Sequence, residues 1–161
     1  MTAKRLLTLG FVLAAMMVGG IVFSSCRSQA TGVQAGTLGP CPSKPNCVCS
    51  ETAGDEEHFV EPLRFEGDPD AAFNDLARFL REQPRVELAT VESNYLHAVF
   101  KTALMRFRDD VEFRLDRAKS VIQVRSASRA GYSDLGANRA RIESIRARWK
   151  PATSDASAAT E

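Results

Sequence analysis

Several patterns that usually betray an enzyme are missing from this chain of 161 residues. It has only two histidines, His58 and His97, and neither stands at a metal-ligand spacing. There is no nucleophile elbow, phosphate-binding loop or dinucleotide fingerprint, and no Cys-x-x-Cys pair beside a helix start to suggest thiol redox chemistry. Net charge is equally scarce. Lys and Arg number 21 against 20 Asp and Glu, leaving +1, whereas a nucleic-acid footprint leaves a large positive excess; no nucleic-acid partner is expected. No cofactor, metal site or catalytic residue follows from these absences.

What is present is an ordinary globular composition, 44% hydrophobic and 25% charged, over a length that favours one domain. The charges are unevenly placed. Residues 51–100 carry twelve acids and four bases, and residues 117–150 carry nine bases and two acids. Such halves pair most simply with each other in the fold.

At the N-terminus, Lys4 and Arg5 precede an uncharged apolar run, Leu6 to Phe23, closed by Phe23-Ser24-Ser25-Cys26. This reads as a signal peptide over residues 1–25, and the closing tetrapeptide resembles a bacterial lipobox, whose cysteine is acylated and becomes the first mature residue. Cys26 is thus the expected lipid attachment. An uncleaved membrane anchor competes, because eighteen apolar residues lie at the lower edge of a span. In both cases the folded part is expected outside the cytoplasm. Arg27 after the cysteine suggests, by resemblance to other lipoproteins, the outer membrane facing the periplasm. Residues 26–39, rich in small residues and aperiodic, read as a flexible tether. Residues 40–150 read as a single domain and 151–161 as a disordered tail.

The Pro-rich segment 39–50 holds three cysteines. In an oxidising envelope a small disulfide loop is the first reading, Cys41 with Cys47, and Cys41 with Cys49 is the second. A zinc set of Cys41, Cys47, Cys49 and His58 would want a two-residue gap that Cys47-Val48-Cys49 lacks.

From Glu51 onward the patterns mix. Phe59 to Phe65 reads as a short strand broken by Pro62. Asp68-Pro69 opens a helix with Ala72, Phe73, Leu76, Phe79 and Leu80 on one side, and Pro84 ends it. Strands are expected over Arg85 to Val91 and Asn94 to Thr102. Asp110 to Asp116 alternates strictly and forms a hairpin with Ser120 to Ser126, so Arg125 should stand near Glu112 and Asp110 on one face. His97 alternates with Tyr95 and Val99 and is most simply structural. Leu135, Asn138, Ile142, Ile145 and Trp149 recur at helical spacing, led by Ser133 and Asp134 as N-cap residues. The expected class is α+β: an antiparallel sheet of about five strands with two helices covering one face.

A strand end, a turn and a helix start meet between Arg125 and Arg141, in a stretch crowded with guanidinium and hydroxyl groups. Helix N-termini offer unpaired N–H groups, so the ingredients of an anion site are assembled there. The candidate ligand-binding set is Arg125, Ser126, Ser128, Arg129, Tyr132, Ser133, Asp134, Asn138 and Arg139, with Asp110 and Glu112 as acidic partners. Parity pairs Arg125 with an acid and leaves Arg129 and Arg139 without one.

Cys-Pro-x-x-Pro-Asn-Cys-Val at 41–48, Asp-Asp-Val-Glu-Phe at 109–113 and Arg-Ser-x-Ser-Arg-x-Gly-Tyr-x-Asp-x-Gly-x-Asn-Arg at 125–139 together resemble the domain of unknown function family 1499 over about residues 38–148. Cys49 departs from the family pattern, which usually has serine there. The resemblance implies secreted or membrane-attached bacterial proteins, with plastid members, and implies no reaction. Three functions remain. The first is a non-catalytic envelope module, attached to the membrane through Cys26, that binds an anionic small molecule, lipid headgroup or envelope partner in a cleft bordered by Arg125, Arg129 and Arg139. The second is a hydrolase-like enzyme using Asp110 or Glu112, which needs a carboxylate free of arginine facing a pocket. The third is a structural lipoprotein in which the motif ties the last strand to the last helix.

Overall fold

The computed structural model describes residue 27 and residues 29–52, 54–103 and 106–151. The expected signal peptide over residues 1–25, the expected lipid attachment at Cys26 and the expected tail beyond Pro151 lie outside the described residues. In chain order the elements are β1 (Val33–Gln34), β2 (Thr37–Leu38), β3 (Cys47–Cys49), β4 (Leu63–Arg64), α1 (Pro69–Arg81), β5 (Val86–Val91), β6 (Tyr95–Lys101), β7 (Arg108–Asp116), a 3₁₀ turn (Arg117–Lys119), β8 (Val121–Ser128) and α2 (Ala137–Arg148).

The main sheet has six strands in the order β3-β8-β7-β6-β5, and β4 also pairs with β8. All of its ladders are antiparallel. β8 therefore has a shared outer edge: β3 pairs with its end, Cys47 opposite Ala127, and β4 with its start, Leu63 opposite Ile122. The fold is α+β, as expected, with two differences in the strands. Of Phe59 to Phe65 only Leu63–Arg64 joins the ladder, because Pro62 has no N–H to donate just before it. β3, hidden in the Pro-rich cysteine segment, was not expected as a strand.

α1 begins where Asp68 accepts the Ala71 N–H at 2.7 Å, with Pro69 in the first turn. Its Ala72, Phe73, Leu76, Ala77 and Leu80 are buried. They join Val111, Phe113, Leu115, Ile122 and Val124 of the sheet and Ile142, Ile145 and Trp149 of α2 in one core. Each buried Leu, Ile or Phe there contributes about 2 kcal/mol. Period-2 alternation fixes which face this is, and it sends Tyr95, His97, Asp110, Glu112 and Arg125 to the other face.

The start of α2 departs from expectation. The helix begins at Ala137, and its N-cap is Gly136 rather than Ser133 or Asp134. Leu135 and Gly136 both have left-handed backbone, φ 54° and 80°, which moves the helix start past the acid. Asp134 still caps from outside, accepting the N–H of Gly136 at 2.9 Å and of Asn138 at 2.8 Å. Leu135, expected on the buried stripe, is 97% exposed.

Residues 29–39 also depart from the flexible tether. Thr31 and Gly32 donate backbone N–H groups to Glu112, and β1 and β2 form a hairpin beyond them. Leu38 packs with Tyr95 and Cys49 in a second small core. An aperiodic, small-residue strap can order in this way because it binds through its backbone.

Candidate functional site

The polar face of the sheet is a buried ion network rather than a solvated surface. On β7, Asp110 and Glu112 are fully buried, and Asp109 on the helix side is nearly so. Arg125, directly opposite Glu112 in the β7–β8 register, donates from Nη1 to its Oε2 at 2.8 Å. The same nitrogen donates to the Gln29 carbonyl at 2.8 Å. Tyr95 OH donates to Glu112 Oε1 at 2.8 Å, beside the N–H groups of Thr31 at 3.0 Å and Gly32 at 2.7 Å.

Two residues along the strand, Arg129 holds Asp110 with two bonds, Nε to Oδ2 at 2.9 Å and Nη2 to Oδ1 at 2.8 Å. The expectation that Arg129 lacks an acid is therefore wrong. Parity paired the hairpin strands only, whereas Arg129 lies one residue past β8, where its N–H bonds the Arg108 carbonyl. His97 Nε2 meets Asp110 Oδ1 at 2.6 Å, and the Gln29 N–H meets Oδ2 at 2.6 Å. Burial alone would raise the Asp110 pKa. The bonds from His97, Arg129 and Gln29 outweigh it and hold the carboxyl well below the usual carboxylate range. Tyr95 is shifted the other way, burial first and the Glu112 charge second pushing its hydroxyl far up.

On the helix face the motif closes a second knot. Asn138 Oδ1 accepts from Ser126 Oγ and from Arg141 Nη1, each at 2.5 Å. Its Nδ2 donates to the Asn46 carbonyl at 2.9 Å, Ser128 Oγ at 2.9 Å and Asp134 Oδ2 at 2.6 Å. Arg141 also pairs with Asp109 and lies over the Phe100 ring. Arg139 has no carboxylate in a salt bridge among the described residues, but its guanidinium is committed: Nη1 donates to the Phe59 carbonyl at 2.6 Å and Nη2 to that of Glu57 at 2.9 Å. Ser133 Oγ accepts the Leu135 N–H, and Tyr132 is 70% exposed.

The cysteines settle as the first reading has it. Cys41 and Cys47 form a disulfide, so their sulfurs are not available to a metal, and Cys49 is a buried free thiol whose pKa burial pushes up. His58 is held between Asp55 and the Lys44 carbonyl.

Among the described residues no cavity is bordered by Arg125, Arg129 and Arg139 together; Arg125 and Arg129 are buried, and Arg125 donates to the carbonyls of Gln29 and Pro40. A small cavity of about 170 Å³ touches Arg139 together with Pro45, Cys47, Glu57 and Asp134. Its two acids and the committed guanidinium make it a poor seat for an anion. A larger one of about 560 Å³ lies at the other end of the sheet, between Arg64, Glu66, Lys119 and Lys150. Sequence reasoning, which expects Asp109, Asp110 and Glu112 to balance nearby arginines, missed Tyr95, Arg141 and Gln29 as members of the network. The alternation of Tyr95 and His97 with the β7 acids would have signalled one of them.

The site thus belongs to an α+β domain whose β7 carries three acids, each paired with an arginine, and whose segment before β3 is closed by one short disulfide. The model of a family described as a protein of unknown function (DUF1499) matches residues 37–148, and the chain belongs to that family. Comparison with curated proteins and with solved structures gave no match.

The network makes the fold acid-sensitive. A carboxyl whose folded pKa lies below its unfolded value of about 3.9 contributes its stability in full above that value and loses it as pH falls through the folded pKa. The melting temperature should therefore fall steeply below about pH 4, and Asp110→Asn should start lower and fall less over that range. Melts across the acid range check this.

Proposed function

We propose that this protein is a non-catalytic, lipid-anchored domain of the bacterial cell envelope, in which the Arg125–Arg139 motif is a structural clasp rather than a ligand site. The observation that carries this reading is that every arginine of the motif is already bonded: Arg125 to Glu112, Arg129 to Asp110, and Arg139 to two carbonyls. The hydrolase-like reading needs a carboxylate free of arginine, and Asp109, Asp110 and Glu112 each carry one. An anion entering at the motif would have to displace a buried acid, which costs several kcal/mol. Attachment rests on the lipobox-like tetrapeptide ending in Cys26.

Two measurements test the reading. A fatty-acid analogue fed to the expressing cells should label the wild type and not Cys26→Ser; an unlabelled wild type would replace the lipid with a spanning anchor. Phosphate- and carboxylate-bearing compounds should leave the wild-type melt unchanged apart from ionic-strength effects. A saturable upward shift that Arg129→Ala abolishes would return the motif to ligand binding.

A further inference from the structure

From the register and from the direction in which the strap runs, we infer that one end of the sheet is a membrane-docking surface, resting on the bilayer to which residues 1–26 attach the chain. This rests on the attachment reading above. Gln29 is pinned by its N–H to Asp110 and by its carbonyl to Arg125. Only Arg27 and Ser28 separate it from Cys26, three steps of chain with a reach of at most about 11 Å. The domain therefore cannot tumble on a long tether; the end of the sheet from which Gln29 emerges must face the bilayer.

That end is defined by a row of pairings. Lys101 lies opposite Arg108 and donates its N–H to the Arg85 carbonyl, and Arg129 donates to the Arg108 carbonyl. Arg85 and Arg108 thus stand at the edge of the row, and Arg106 lies in the turn that Thr102 and Phe107 close. All three are exposed, and none makes a salt bridge among the described residues. Glu87 is bound to Lys101 and also feels the charge of Arg108. Three cations without a salt bridge along one edge match the phosphates of a lipid surface.

Apolar side chains stand at the same end. The loop after β8 leaves beside Arg108 and is held by Asn46 Nδ2 on the Gly131 carbonyl. It presents Tyr132, 70% exposed, and Leu135, 97% exposed. Neither exposure serves the fold. Leu135, Arg85 and Arg106 also occupy left-handed backbone, with φ of 54°, 63° and 53°, where glycine or asparagine would be less strained. A leucine and a tyrosine at the same end as these arginines suit the headgroup boundary, where an aromatic ring with a polar tip settles and a short apolar chain inserts.

The test uses the full chain reconstituted into vesicles of phosphatidylethanolamine with or without phosphatidylglycerol, some carrying brominated acyl chains. Leu135→Trp supplies a reporter at the proposed surface, and Val91→Trp supplies one at the opposite end, where Val91 pairs with Leu96. Buried Trp149 is the background. Brominated lipid should quench most of the Leu135→Trp emission when phosphatidylglycerol is present and leave Val91→Trp unchanged. Reversing Arg85, Arg106 and Arg108 to Glu together should abolish the quenching while the protein still floats with the vesicles. A floating chain whose Leu135→Trp is no more quenched than Val91→Trp, or whose quenching survives the charge reversal, overturns the docking and spares the attachment. A wild-type chain that does not float removes the attachment and the docking with it.

Discussion

Glu112→Ala should unfold the domain at temperatures where the wild type is fully native. The substitution removes the only carboxylate bonded to Arg125 among the described residues, where the Arg125 side chain is 3% exposed, and takes the acceptor from Tyr95 OH and from two backbone N–H groups of the strap. Breaking a buried pair by removing one partner costs about 3–5 kcal/mol, because a buried charge is left uncompensated. Domains of this size have about 5–15 kcal/mol in total, and at several degrees per kcal/mol the melting temperature should fall by roughly 15–25 °C. Arg125→Met with Glu112→Leu removes both charges, and with them the buried Arg125 Nε that has no hydrogen-bond partner. The pair should recover part of the loss. Full recovery is not expected, since Thr31 and Gly32 would still lack an acceptor. Denaturation of the two variants and the wild type checks the ordering.

The second large effect is expected at Asn138. Its amide is fully buried and bonds five groups, from Asn46 just before β3, from β8, from the loop before α2 and from α2 itself. Asn138→Ala leaves the Asn46 carbonyl without that donor and opens a void, each worth about 1–3 kcal/mol, so about 3 kcal/mol should be lost. Arg139→Ala, one residue on and partly exposed, should cost only about 1 kcal/mol because its two carbonyl partners can turn to water. Unfolding curves would show this contrast directly; equal effects would mean that the clasp is not centred on Asn138.

The parts of this architecture that were legible in the sequence are those written in side-chain periodicity. Strict alternation over Asp110–Asp116 predicted the Glu112 and Arg125 juxtaposition, and Asp68-Pro69 marked the start of α1. What escaped was carried by the backbone or by position beyond an element. The strap from Gln29 to Gly32 binds through N–H groups, which leave no trace in residue type. Arg129 finds Asp110 from outside β8, beyond the reach of strand parity. Leu135 kept helical spacing with Asn138, yet two consecutive left-handed residues moved the helix start past it. β3 was too short, and too close to prolines, to show a pattern. The anion-site reading failed for a related reason: counting cations in one stretch ignored the acids that β7 brings beneath them.

The central claim is that the charged face of the sheet is sealed interior, closed by residues 29–41, with no free arginine at the motif to receive a ligand. Amide hydrogen exchange at Gln29, Thr31 and Gly32 tests it most directly. Each N–H points at a buried carboxylate, so the three should exchange far more slowly than an unstructured chain, and Asp110→Asn should speed Gln29 more than Gly32. Exchange of all three at the rate of an unstructured peptide would show an open face and contradict the account.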